Sequence, residues 1–75
     1  MSKTLRQLRE EVLLTQGELA ARLEVPYQRV GEWERGESTP RPSNQRKLAE
    51  ALGVTPTELR AALMARFEGK ELAAA

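Results

Sequence analysis

Covalent chemistry has little to work with in this chain. It contains no histidine and no cysteine, so the usual general bases and thiol nucleophiles are missing. Disulfide staples and ordinary zinc sites are excluded for the same reason. There is no glycine-rich phosphate loop, and no group of carboxylates has metal-ligand spacing. Glu10 and Glu11 are neighbours in sequence but would point about 100° apart on a helix. Neither catalysis nor a metal or other cofactor is expected. What the chain does offer is a run of hydrogen-bonding and charged groups at Tyr27, Gln28, Arg29, Glu32 and Arg35. An amide donates and accepts at once, a guanidinium donates as a fork, and a carboxylate only accepts. Such a set recognises a polar surface rather than transforming a substrate.

Those groups need a scaffold, and the capping signals divide the chain into five helical segments. The first runs from about Thr4 to Leu13, with Thr4 and Gln7 as a capping box and Leu5, Leu8 and Val12 as an apolar stripe. The second opens at Thr15, with Glu18 three residues on, and buries Leu19, Ala20 and Leu23 over about eight residues. The third starts at Pro26 or Tyr27 and ends at Arg35, with Gly36 as a left-handed stop. Val30 and Trp33 face inward on it. The fourth runs from Pro42 to Leu52 and stops at Gly53; Gln45 stands where an apolar residue is expected, which predicts looser packing at its start. Thr55-Pro56-Thr57-Glu58 caps the fifth, which carries Leu59, Ala62 and Leu63 inward to about Phe67 and ends at Gly69. The expected fold is all-α: one compact five-helix domain over residues 1–69, with residues 70–75 as a frayed tail.

Composition narrows the class less sharply. A single small domain buries only roughly 60% of its unfolded surface. Lys and Arg total 12 against 11 acids, all Glu, for a net charge of +1, so bulk charge does not announce a polyanion partner. Apolar runs such as Val12-Leu13-Leu14 are far short of the roughly 20 residues that span a bilayer. No signal peptide is recognisable, and a cytoplasmic location is the default expectation.

The second and third segments are separated by only about three residues, which permits the steep helix pair of a helix-turn-helix. In that geometry the second helix projects a surface that fits the DNA major groove. Gln28 and Glu32 lie opposite Val30 and Trp33, with Gly31 and Arg35 beside them. Gln28 is the leading candidate for base reading, because its amide can pair with adenine N6 and N7 together. Tyr27 stands at the helix start, where base edges or a phosphate are met. Glu32 can accept from cytosine N4. Gly31 leaves room for DNA to approach, and Arg29 and Arg35 suit phosphates.

Thr15-Gln16-x-x-Leu19-Ala20-x-x-Leu23-x-Val25, followed by Val30-x-x-Trp33-Glu34-Arg35-Gly36, resembles the phage repressor and Cro (XRE) class of helix-turn-helix regulators. Leu48-Ala49-x-Ala51-Leu52-Gly53-Val54 resembles the fourth helix of the same family and its exit. The likeness covers about residues 4 to 65. It implies that Gln16 binds a backbone phosphate at the start of the second helix, and that Arg41, Ser43 and Arg46 grip the backbone from the loop and fourth helix. It also implies a buried ion pair between Arg9 and Glu34. The chain departs from the pattern in three ways: Glu24 replaces the turn glycine, which puts a non-glycine residue at a position open to positive φ; Pro26 replaces a hydroxyl cap; and Glu32, Glu34 and Glu37 make the face less basic.

Met64 and Phe67 lie at the edge of the fifth segment's apolar face and are expected to form a homodimer seam. A two-fold dimer would set two recognition helices about 34 Å apart on a near-palindromic site. The expected function is a DNA-binding transcriptional regulator, acting as a repressor, with no membrane or small-molecule ligand. The rival is a protein-interaction module of the same fold, of antitoxin or bridging-factor type, which the near-neutral charge favours.

Overall fold

The computed structural model describes the backbone of residues 3–74 and the side chains of residues 3–65. Among the described residues the elements are α1 (Leu5–Glu11), α2 (Gln16–Leu23), α3 (Tyr27–Arg35), α4 (Pro42–Leu52) and α5 (Pro56–Ala74), with no strand. Three of the starts are closed by reciprocal capping boxes. Thr4 and Gln7, Thr15 and Glu18, and Thr55 and Glu58 each exchange side-chain and backbone hydrogen bonds at 2.8–3.2 Å. Two otherwise orphaned N–H groups are satisfied at each of these helices.

The helix ends follow one rule. After α1, α2, α3 and α4 a residue takes the left-handed conformation: Leu13 (φ 60°), Glu24 (φ 57°), Gly36 (φ 78°) and Gly53 (φ 69°). The next residue then donates its N–H five positions back, from Leu14 to Arg9, Val25 to Ala20, Glu37 to Glu32 and Val54 to Ala49, at 2.9–3.2 Å. This is the Schellman closure, and its usual apolar companion is present. Leu14, Val25 and Val54 all pack against the core. Burial of that following residue holds the turn shut where a non-glycine residue must accept positive φ.

The core is a single cluster built from every helix, with Leu5, Leu19, Leu23, Val30, Leu48 and Leu59 almost fully enclosed. Trp33 is 3% exposed and belongs to it. α2 packs chiefly on α3, while α5 touches α1, α3 and α4. α3 therefore has one side fixed by α2 and α5 and the other left open.

Two expectations are corrected. Val12 does not continue the α1 stripe: the helix ends at Glu11 and Val12 is 39% exposed, because the closing turn swings it out and Leu14 in. α5 does not stop at Gly69 but runs to Ala74. A helical glycine costs only about 1 kcal/mol against alanine, and the Glu, Lys, Leu and Ala around it favour helix. Gln45 is half-buried, its Nε2 donates to the Pro40 carbonyl at 2.9 Å and ties the preceding loop to α4, and with Pro42, Pro56 and Leu59 it lines a cleft of about 180 Å³ at that helix start.

Candidate nucleic-acid interface

The open side of α3 is set by its closed one. Val30 and Trp33 are buried, so a 100° step per residue turns Gln28 outward. Tyr27 is 59% exposed and Gln28 is exposed beside it. Among the described residues neither side chain has an internal partner. Arg29 and Glu32 pair at 3.3 Å, and the Ser38 hydroxyl donates to the same Glu32 oxygen at 3.3 Å. Arg35 Nε donates to Glu37 Oε2 at 2.6 Å, and the Glu37 carboxylate holds the guanidinium above its ordinary pKa. Gly31 is buried: an added Cβ would stand 2.8 Å from Arg35 Nη1, so this guanidinium occupies the space the glycine leaves.

Behind this face lies a polar network. Arg9 Nε donates to Glu34 Oε2 at 2.6 Å and Nη2 donates to Oε1 at 3.2 Å. Arg9 Nη1 donates to the Leu14 carbonyl at 2.8 Å, and Gln16 Nε2 donates to Glu34 Oε1 at 3.0 Å. The side chains of Arg9 and Glu34 are only 11% and 6% exposed. Hydrogen bonding to Glu34 raises the Arg9 pKa, outweighing the burial that lowers it. The guanidinium thereby joins α1 and the α1–α2 turn to α3, and the Glu34 carboxylate ties in the start of α2. Gln16 is thus placed at the α2 start with one amide hydrogen committed inward and one free.

Residues from different elements converge beside α3. A cleft of about 250 Å³ is lined by Arg29 and Trp33 of α3, by Ser38 and Thr39, and by Arg41 and Asn44. A second, of about 360 Å³, brings together Arg6, Arg9, Gln16, Glu34 and Arg35. Arg41, Ser43 and Arg46 are all exposed around the α4 start. Met64 is on α5 and 61% exposed, while Phe67 lies outside the residues whose side chains are described. Arg6 and Asn44 are additions that the sequence reading lacks. Neither falls in a motif, and only the packing of α1 and α4 carries them to the clefts.

The helix starts divide by position. α1, α2 and α5 have side-chain caps, whereas α3 and α4 begin at Pro26 and Arg41 with no side-chain cap hydrogen bond. The Arg29 N–H donates to the Pro26 carbonyl at 3.0 Å and Pro42 has no N–H, which leaves the Tyr27, Gln28, Ser43 and Asn44 N–H groups, with the positive end of each helix dipole, to suit an anion. Both starts border the first cleft, through Pro26 and Arg41.

Two short helices joined by a tight left-handed turn, the second with one buried and one open side, define a helix-turn-helix domain. The family model described as Helix-turn-helix matches residues 5–59, and the chain belongs to that family, in its XRE type. It is a family of DNA-binding transcription regulators. No curated protein matches the chain closely enough to count as a relative. No helix among the described residues is long and apolar enough to cross a membrane.

Proposed function

We propose that the chain is a sequence-specific regulator of transcription that inserts α3 into the major groove of duplex DNA. The supporting observation is the unspent hydrogen-bonding capacity of Tyr27 and Gln28 on a helix whose opposite side is locked into the core. Gln28 reads a base, with adenine the best match to its amide. Tyr27 meets a base edge or phosphate at the helix start. Glu32 still has one carboxylate oxygen available to cytosine N4. Gln16, Arg29, Arg35, Arg41, Ser43 and Arg46 supply backbone contacts, helped by the free amides of α3 and α4. Repression through a near-palindromic operator fits a homodimer joined at Met64 and Phe67.

Selection of bound sites from a random duplex pool tests this reading. A motif with two inverted half-sites about one helical turn apart is the expected result. Gln28→Ala is expected to relax preference at one position of each half-site, at about 1–3 kcal/mol. An unchanged preference removes Gln28 from the reading set.

A second reading has its own support. Glu32 and Glu37 neutralise two of the arginines on the α3 face, which favours a protein partner over a polyanion. Absence of binding to random duplex at about 50 mM salt would favour it.

A further inference from the structure

The pairing of Arg35 with Glu37 is built by three local features. Gly31 leaves the hollow in which the guanidinium lies, because any Cβ there would stand 2.8 Å from Nη1. Gly36, at φ 78°, turns the chain so that the Glu37 N–H returns to the Glu32 carbonyl at 2.9 Å. Glu37 then stands beside the last turn of α3 and takes two guanidinium nitrogens, at 2.6 and 3.4 Å. A carboxylate that accepts from a guanidinium fork offers the same geometry as a phosphate. Both side chains remain more than half exposed, so the pair is weak enough to exchange.

We propose that Glu37 is an internal competitor for DNA phosphate, clasping Arg35 on the α3 face so that a backbone phosphate must displace it. This rests on the DNA-binding reading above. The cost of that displacement falls on random and selected sites alike, because phosphate contacts carry no sequence information. Glu37 therefore sets the sequence-independent part of the affinity. In a chain with net charge +1, that part is small enough for one carboxylate to matter.

The test is a double-mutant cycle on the full chain. Binding to a labelled random duplex is followed by fluorescence anisotropy for wild type, Glu37→Gln, Arg35→Gln and the double variant. Circular dichroism melts check that all four fold alike. Glu37→Gln is expected to tighten binding about fivefold to tenfold at about 50 mM salt, with a smaller gain as salt rises. In the Arg35→Gln background the same change should alter affinity less than about twofold. An equal gain in both backgrounds overturns the proposal, since Glu37 would then act only as a general negative charge. If wild type binds and Glu37→Gln matches it, the clasp fails while the DNA-binding reading stands. If none of the four binds, both fail.

Discussion

Glu34 and Glu37 stand three residues apart at the end of α3, and each takes an arginine at 2.6 Å. Their side chains differ in surroundings: Glu34 is 6% exposed and Glu37 54%. Equal distance does not give equal consequence. Attraction between unit charges grows several-fold as the effective dielectric falls from that of water to that of a protein interior. Desolvation grows with it, so the inner pair is safe only while every polar group has its partner. Glu34 meets that condition through Arg9 and Gln16, and Arg9 through Glu34 and the Leu14 carbonyl. The outer pair is more than half exposed and can be traded for another ligand. One end of one helix thus carries a joint that must stay closed and a clasp suited to opening.

The sharpest way to break this contrast is to remove the inner carboxylate. Glu34→Ala leaves Arg9 charged and shielded, and takes the acceptor from Gln16. The expected loss is about 3–5 kcal/mol, comparable with the whole stability of a domain this small. Urea melts at neutral pH would show it, and the variant alone could be unfolded at room temperature. The Arg9→Met, Glu34→Leu pair keeps the measurement informative. It should recover most of the loss, because no uncompensated charge remains. A double variant as unstable as the single one would show that desolvation is not the cause.

How far this architecture was legible depends on the range of the interaction. Helix starts are local, and Thr4, Thr15 and Thr55 announce them three residues ahead of their Gln or Glu partners. The stops at Gly36 and Gly53 are equally local. Leu13 is hidden because leucine seldom adopts positive φ, and only burial of Leu14 makes it do so. The reading of Gly69 as a stop fails because a glycine ends a helix only when a competing closure exists. On the α3 face, the wheel places Gln28 outward once Val30 and Trp33 are set inward. It says nothing of Ser38 or Glu37, which return to α3 only through the turn at Gly36. The link from Arg9 to Glu34 spans most of the helix pair, and family likeness rather than spacing pointed to it.

A milder test probes how loosely the outer pair is held. Gly31→Ala would place a methyl against the Arg35 guanidinium, whose atoms are its nearest neighbours, Nη1 at 2.8 Å. The obstruction is the far end of a flexible, exposed side chain, which can swing away. Alanine meanwhile removes the entropic penalty of a glycine inside a helix. The expected outcome is a gain of about 0.5–1 kcal/mol in thermal or urea melts. A loss of stability would mean that Arg35 cannot yield, and the contrast between a fixed joint and an exchangeable clasp would narrow.

The smallest effect concerns an exposed carboxylate held chiefly by its helix cap. Glu18 accepts the Thr15 N–H at 2.9 Å in the first turn of α2. That hydrogen bond, followed by the Thr15 hydroxyl and then Arg22, holds its pKa below the ordinary glutamate value. A depressed folded-state pKa contributes stability above the unfolded value of about 4.3, and the contribution is lost as pH falls through the folded value. Glu18→Gln keeps an oxygen for the cap but never carries charge. Wild type should therefore melt slightly above the variant at neutral pH, and the gap should close below about pH 4. A gap that persists into stronger acid would assign the preference to side-chain shape. Charge at the surface of this domain would then matter for what it meets outside and hardly at all for the fold within.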